Sequence, residues 1–265
     1  TLSEPEWSRM KVSAPGSLML LGEHGVLHGR RALVCALNQR LHLSLVRLDE
    51  PVVRIVSELG CYETELSDPK DHPDFRFILD AIRQYPIQNG IELQIESDFS
   101  SEIGFGSSAA VTVATHAALH GDVKNRIDLF ERSLATVRRV QGCGSGADIA
   151  ASVFGGVVAY RSDPREICPM VEEFPVTAIY SGSKMKTAEV IRWVDEQRLL
   201  NPERFERIFN EMDRLVGAVI HDFSTLGEMM KINQTLMEEM GLCNAALTEI
   251  IARCRAEGIS SKISG

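Results

Sequence analysis

The sequence lacks the features that would place it in several common classes of protein. Its 265 residues carry a formal net charge of −9 and show no basic stripe, so nucleic-acid binding is not expected. No apolar run reaches the roughly 18 residues that a transmembrane helix needs. The six cysteines form no C-x-x-C pair and the seven histidines show no metal-ligand spacing, so neither a disulfide framework nor a zinc site is expected.

The composition that is present indicates an ordinary globular protein. Hydrophobic residues make up 44% of the chain, which is enough for one large domain or two small ones. The first seven residues are acidic and lack the basic and apolar blocks of a signal peptide. Scattered cysteines are typical of reduced thiols. We therefore expect a cytoplasmic protein that does not associate with membranes.

Periodicity predicts a chain that begins mostly as β-structure and ends mostly as helix. Strands are expected at 12–21, 33–37, 41–46, 52–56, 61–66, 91–97, 157–160 and 175–180. Helices are expected at 74–85, 107–120, 126–141, 148–153, 185–197, 203–222, 224–240 and 244–257. The composition changes near Ser162-Asp163-Pro164, which predicts two domains, 1–163 and 164–265.

The most informative segment is a turn rich in glycine and serine between a predicted strand and a predicted helix. It reads Gly104-Phe105-Gly106-Ser107-Ser108-Ala109. Glycines let the backbone approach a phosphate closely, and the free amides of a first helical turn, at the positive end of the helix dipole, hold it. Either serine can instead cap the helix or bind a metal ion. The segment therefore indicates an anion site, with a serine-capped turn as the alternative.

Two further clusters of polar residues follow apolar segments. Glu23 and His24 come where a predicted strand ends in glycine, which fits a ligand contact or a polar hairpin tip. A glycine-dense loop at 142–146 runs into a helix with Asp148 near its start. An aspartate there often only favours the helix dipole. Beside an anion loop, however, Asp148 becomes a candidate base for a substrate hydroxyl, because phosphoryl transfer needs an oriented nucleophile.

Taken together, these motifs resemble those of the GHMP kinases, the superfamily of galactokinase, homoserine kinase, mevalonate kinase and phosphomevalonate kinase. The run from Pro15 to Gly29 is most similar to the mevalonate kinases, and the loop from Gly104 to Ala110 marks the superfamily. The loop at 145–148 follows in family order, and residues 258–265 look like the opening of a third, glycine-rich motif.

The resemblance implies an α+β fold of two domains: a mixed α/β N-terminal domain that binds ATP and a ferredoxin-like C-terminal domain, with the site between them. It implies that Gly104, Phe105, Gly106, Ser107, Ser108 and Ala109 surround the ATP phosphates and that Ser108 ligates Mg²⁺. Asp148 would orient or deprotonate the attacking hydroxyl. The residues expected on the substrate side are Ser17, Glu23, His24 and Thr187, with Lys184 and Lys186 as added positive charge or a solvated helix start.

The implied reaction is ATP-dependent phosphorylation of the 5-hydroxyl of mevalonate, in isoprenoid biosynthesis. Phosphomevalonate kinase or another small-alcohol kinase stays open, because residues 144–148 fit phosphomevalonate kinase as well. The partner would be a small-molecule substrate, and a homodimer is a candidate assembly. A relative that binds a nucleotide or metabolite with weakened chemistry is the alternative from another class.

The chain departs from the family pattern at three places. Ser17 stands where the family usually has a lysine that can neutralise charge near the catalytic aspartate. Val137 stands where mevalonate kinases have a Mg²⁺-binding glutamate, and the neighbouring Arg138 or Arg139 is a candidate for stabilising phosphate charge. The sequence stops at Gly265, where closing strands are expected, so the C-terminal domain is expected to be incomplete, with unpaired sheet edges.

Overall fold

The computed structural model describes residues 9–121, 124–182 and 187–264. The strands are β1 Arg9–Leu21, β2 Arg31–Leu48, β3 Val52–Ser57, β4 Gly60–Glu65, β5 Gly90–Ser97, β6 Val157–Ser162 and β7 Arg165–Val171. The helices are α1 Arg76–Ile82, α2 Ser107–His120, α3 Arg126–Gln141, α4 Ala147–Phe154, α5 Thr187–Leu200, α6 Pro202–His221, α7 Leu226–Glu239 and α8 Ala245–Ala256. None of the described helices is long and apolar enough to cross a membrane.

The chain forms two compact units that interleave along the sequence. The first unit comprises residues up to Gly16 together with 37–101 and 105–144. The second comprises 17–36, 102–104 and the chain from Ser145 onward. Strands β1 and β2 each contribute residues to both units, so the division does not follow a single cut in the sequence.

The first unit is a sheet covered by three helices. Its strands follow the order β4, β3, β5 and the second half of β2, with β3 parallel to β5 and the other pairs antiparallel. Alternating apolar residues fill the core: Leu43 and Leu93 on neighbouring strands are at most 1% exposed. Helices α1, α2 and α3 pack against one another. This packing fixes the direction of α2, whose N-terminus follows the glycine–serine turn.

The second unit combines strands β6 and β7 and the first half of β2 with the C-terminal helices. The first half of β2 pairs antiparallel with β6, which pairs antiparallel with β7. Helix α6 buries Phe205, Ile208 and Phe209 along one face. Its Asp213 carboxylate accepts hydrogen bonds from the backbone amide of Arg31 (2.7 Å) and from the Arg31 guanidinium (2.6 Å to Oδ2). The start of β2 is therefore held against α6 within this unit.

Two predictions about secondary structure were wrong, and one strand was not predicted. The two strands expected at 33–37 and 41–46 are one continuous strand, β2, in which Asn38 and Gln39 are simply its exposed positions. Residues 175–180 form no strand, since Ile179 and Tyr180 are more than half exposed without strand pairing. The strand that was not predicted is β7, which the turn at residues 163–164 joins to β6 and whose residues are mostly exposed. The domain division at residue 163 stays a prediction.

Candidate functional site

The glycine–serine turn leads directly into α2 in the first unit. Gly106 is the N-cap residue and adopts a left-handed conformation (φ 64°), which glycine tolerates without strain. Its carbonyl accepts a hydrogen bond from the amide of Ala110 at 3.0 Å. Because the N-cap is glycine, neither serine caps the helix, and the amides of Ser107 and Ser108 have no partner within it. This geometry fits the anion site better than the serine-capped alternative.

A second glycine supports this turn from strand β1. A Cβ added to Gly16 would lie 2.8 Å from the carbonyl oxygen of Phe105 and 3.2 Å from the ring of Phe99. The rings of Phe99 and Phe105 are themselves in contact, with centroids 6.0 Å apart. Only glycine allows β1 to pass this close to the turn. The sequence analysis did not identify Gly16 as a support for the anion loop, although it lies in the Pro-Gly pair of the first motif.

In the second unit, the structure brings Ser17 and Asp148 together across 131 positions of sequence. Ser17 lies on β1 and donates a hydrogen bond from Oγ to Oδ1 of Asp148 at 2.8 Å. Asp148 is the second residue of α4, which begins after Gly146 in a left-handed conformation (φ 95°). The loop before the helix is fixed by the Tyr160 hydroxyl, which donates to the carbonyl of Ser145 at 2.5 Å. Both predicted residues therefore belong to one constellation.

The Asp148 carboxyl combines solvent access with a crowded surrounding. The residue is exposed, while its neighbour Ser17 is buried. The protein packed around this exposed carboxyl raises the pKa of Asp148, and the hydrogen bond from Ser17 lowers it by a smaller amount. A carboxylate with a raised pKa is a better proton acceptor than a fully hydrated one.

Glu23 is held in a buried ion pair in the same unit. Its carboxylate pairs with the ammonium of Lys262, and the two side chains are 3% and 2% exposed. Its second oxygen accepts a hydrogen bond from Asn233 on α7 at 3.1 Å. Lys262 also donates to the carbonyl of Met19 on β1 at 3.1 Å. No role for Lys262 is predicted from the sequence, although its place in the third glycine-rich motif was a signal that could have identified it.

His24 occupies a constrained position beside Glu23. Its φ of 61° is unusual for a residue with a side chain, and its buried Nδ1 atom has no hydrogen-bond partner in the described part of the chain. Burial lowers the pKa of His24 to about 4, so the ring is neutral near pH 7. A buried imidazole nitrogen without a partner is suited to receive a polar group of a ligand.

Helix α5 is linked to this turn through a neighbouring histidine. His28 Nε2 lies 3.4 Å from Oδ1 of Asp195 on α5, and its ring stacks on Phe209 at 4.8 Å. Thr187 is the first residue of α5 and is exposed. The structure thus places Thr187 on a helix that contacts the first motif, about 12 Å along the axis from Asp195. Lys184 and Lys186 lie outside the described residues.

The position expected to hold a metal-binding glutamate is apolar. Val137 is 7% exposed, and its Cγ1 lies 3.3 Å from where a Cβ on Gly144 would be. Arg139 is paired with Asp80 at 2.8 Å, whereas Arg138 donates from Nε to the carbonyl of Gly144 at 3.3 Å. Among the described residues, no group of three or more His, Cys, Asp or Glu side chains is arranged to hold a metal ion.

Comparison with known proteins identifies the class. The GHMP kinases N terminal domain matches residues 75–156. The crystal structure of Methanococcus jannaschii mevalonate kinase superposes with a TM-score of 0.79 at 20% identity, covering 98% of this chain and 88% of that one. The mevalonate kinase of L. major in complex with R-mevalonate gives 0.78 at 20% identity, covering 100% and 86%. The two-domain α+β fold class is therefore confirmed, and the chain has the fold of a GHMP kinase.

A curated relative narrows the assignment. The mevalonate kinase of Archaeoglobus fulgidus is 34% identical over 264 residues, which cover 97% of this chain and 88% of that protein. The chain belongs to the mevalonate kinase family, whose members are phosphotransferases acting on an alcohol. Membership implies ATP as the phosphoryl donor and a small molecule as the acceptor. The resemblance seen in the sequence is thereby confirmed.

Proposed function

We propose that this protein transfers the γ-phosphoryl group of ATP to the 5-hydroxyl of mevalonate. The observation that carries the proposal is the solvent-accessible Asp148 carboxyl at the start of α4, held by Ser17 at 2.8 Å. A carboxyl at this place has a chemical use in a kinase and none in a protein that only binds a ligand. The relatives named mevalonate kinase supply the acceptor.

The protein does not need to form a covalent bond to the substrate, since catalysis of phosphoryl transfer depends on positioning and electrostatics. The 5-hydroxyl oxygen forms a bond to the γ-phosphorus while the bond from that phosphorus to the β–γ bridging oxygen breaks and ADP leaves. The hydroxyl proton passes to Asp148. The raised pKa of Asp148 favours this acceptance, because proton transfer is most effective when the pKa of the base approaches the working pH.

The nucleotide phosphates are assigned to the turn before α2. Amides of Ser107, Ser108 and Ala109 point out of the first turn of α2, and Gly104 and Gly106 leave the backbone open to a phosphate. Mg²⁺ would accompany ATP and neutralise phosphate charge. The Ser108 hydroxyl is the proposed protein ligand, and it suits an ion that keeps phosphate and water oxygens in its shell. Val137 supplies no oxygen for this ion.

The acceptor is assigned to the residues around the end of β1. His24 offers a neutral ring with an unpartnered nitrogen, and Glu23 supports the turn on which His24 lies. Thr187 is a further proposed contact, from the exposed first turn of α5. A cytoplasmic location and a homodimer stay predictions that accompany this assignment.

The test is acceptor-dependent release of ADP from Mg-ATP, with mevalonate, phosphomevalonate and homoserine in parallel. We expect turnover on mevalonate, and a fall of at least roughly 100-fold in Asp148→Asn, which removes the base and keeps the shape. Asp68→Asn is the control, because Asp68 is an exposed carboxylate that pairs with Lys70. Turnover on phosphomevalonate alone would move the assignment to that acceptor. ATP binding without turnover on any acceptor would favour a relative with weakened chemistry.

A further inference from the structure

The residue at position 17 differs in kind from the lysine that is usual in the family, so its role here needs a separate explanation. We propose that Ser17 is a positioning residue whose hydroxyl holds the Asp148 carboxylate by a single hydrogen bond, a role that needs no cationic partner from the described residues. The inference rests on the proposed function, because it concerns the base of that reaction.

The geometry supports a dedicated bond. Ser17 is 1% exposed, so its hydroxyl cannot exchange freely between protein and water partners. It donates to Oδ1 of Asp148 at 2.8 Å, a normal length for a bond between two oxygens. The structure shows no further hydrogen bond to the Asp148 carboxyl from the described residues. Ser17 therefore fixes one oxygen of the carboxyl and leaves Oδ2 to receive a substrate proton.

The charged and titratable groups near the carboxyl do not replace the missing lysine. The charges of Asp148 and Lys262 both affect the pKa of the Cys35 thiol on β2. Burial is the largest effect and raises that pKa to about 11, so the thiol is neutral. The ammonium of Lys262 is paired with Glu23. Tyr160 uses its hydroxyl on the Ser145 carbonyl. Among the described residues, no charge contributes to the shift in the pKa of Asp148.

Having serine rather than lysine at position 17 has a functional consequence. A lysine would stabilise the carboxylate by charge and would also weaken it as a base, whereas a serine stabilises it only by one hydrogen bond. Asp148 is thus held in place while its pKa stays above the ordinary value. We therefore expect the acidic limb of the pH–rate profile to lie higher than that of a variant with lysine at position 17.

The experiment compares Ser17→Ala, Ser17→Thr and Ser17→Lys with the unmodified protein. Ser17→Ala should lower kcat by roughly 10- to 100-fold with a much smaller change in KM, since a hydrogen bond to a charged group is lost. Its acidic limb should move to higher pH, because the carboxylate loses a donor. Ser17→Thr keeps the hydroxyl. It should therefore retain most of kcat, and the acidic limb of its pH–rate profile should stay where it is in the unmodified protein. Ser17→Lys should move the limb to lower pH, whatever its kcat.

A second readout does not depend on turnover. With ¹³C-labelled aspartate, the carboxyl signal of Asp148, assigned by its absence in Asp148→Asn, should titrate at a higher pH in Ser17→Ala than in the unmodified protein. Equal loss of kcat in Ser17→Ala and Ser17→Thr with an unmoved limb would overturn the inference and leave Ser17 a packing residue. If no acceptor is turned over but the carboxyl titration moves, the proposed function fails and the Ser17–Asp148 coupling stands. An unmoved titration refutes the coupling itself.

Discussion

Replacing Lys262 by methionine tests how strongly the C-terminal segment is held to the first motif. The ammonium of Lys262 and the carboxylate of Glu23 are 2% and 3% exposed, so neither charge is hydrated. In Lys262→Met, the Glu23 carboxylate keeps the hydrogen bond from Asn233 at 3.1 Å but has no cation from the described residues. Removing one partner of a buried pair typically lowers the free energy of unfolding by about 3–5 kcal/mol. Met19 also loses a donor to its carbonyl.

The assay is urea unfolding of Lys262→Met, Glu23→Gln and the double variant, which together form a double-mutant cycle. We expect the double variant to be more stable than the sum of the two single losses predicts. The second substitution removes the charge that the first one leaves buried and unpaired. Lys231→Met is the control, since Lys231 pairs with Glu228 at 3.3 Å on the surface. Surface pairs contribute roughly 0–1 kcal/mol, so that variant should be almost unchanged.

Two outcomes would refute this reasoning. Single losses that simply add in the double variant would show that the two charges do not stabilise each other. A loss in Lys262→Met no larger than in Lys231→Met would show that water reaches the pair. Hydrogen exchange should also increase at the amide of Ile263, which donates to the Gln234 side chain at 2.7 Å, because that bond depends on the same docking.

Four further variants test the rest of the site and its support. Burial lowers the pKa of His116 to about 4 from 6.5, so its contribution to stability is present above pH 6.5 and is lost as the pH falls toward 4. Between pH 6.5 and pH 4 the free energy of unfolding of His116→Gln should therefore fall by less than that of the unmodified protein. The difference should be on the order of 3 kcal/mol. Gly16→Ala should raise KM for ATP and leave KM for mevalonate nearly unchanged, because the new Cβ would displace the Phe105 carbonyl; equal effects on both would contradict this. Arg138→Ala should reduce kcat more than Arg139→Ala, since Arg139 is already paired with Asp80; kcat unchanged in both would reject a role for either arginine.

Local patterns predicted most of the elements, because each depends on nearby residues. The helices at 107–120 and 126–141 match α2 and α3. Their caps are Gly106 and Gly121 for α2, and Asn125 and Gly142 for α3, all of which are visible in the sequence. The failures came where tertiary pairing decides. Asn38 and Gln39 resemble a turn, but β2 continues through them as exposed positions. Residues 175–180 resemble a strand, but no described strand pairs with them.

The candidate site, too, could be predicted from the sequence only in part. The motifs identified Ser17, Glu23 and Asp148 individually, because residue type and neighbouring glycines are visible in the sequence. Their partners are not visible there. The bond between Ser17 and Asp148 joins residues 131 positions apart, and the pair of Glu23 and Lys262 joins residues 239 apart. Such contacts depend on how strands and helices pack, and no local pattern encodes that packing.

The two departures from the family pattern therefore differ in consequence. At position 17 a charged donor is replaced by a neutral one, and the hydrogen bond to Asp148 is kept. At position 137 the carboxylate that the family resemblance implies is replaced by an apolar side chain beside Gly144. In the proposed mechanism the first change alters the pKa of the base, whereas the second removes a side-chain ligand of Mg²⁺. The metal would then depend on the triphosphate and on Ser108, so Ser108→Ala should raise the Mg²⁺ concentration needed for half-maximal turnover. Reinstating the carboxylate with Val137→Glu should lower that requirement.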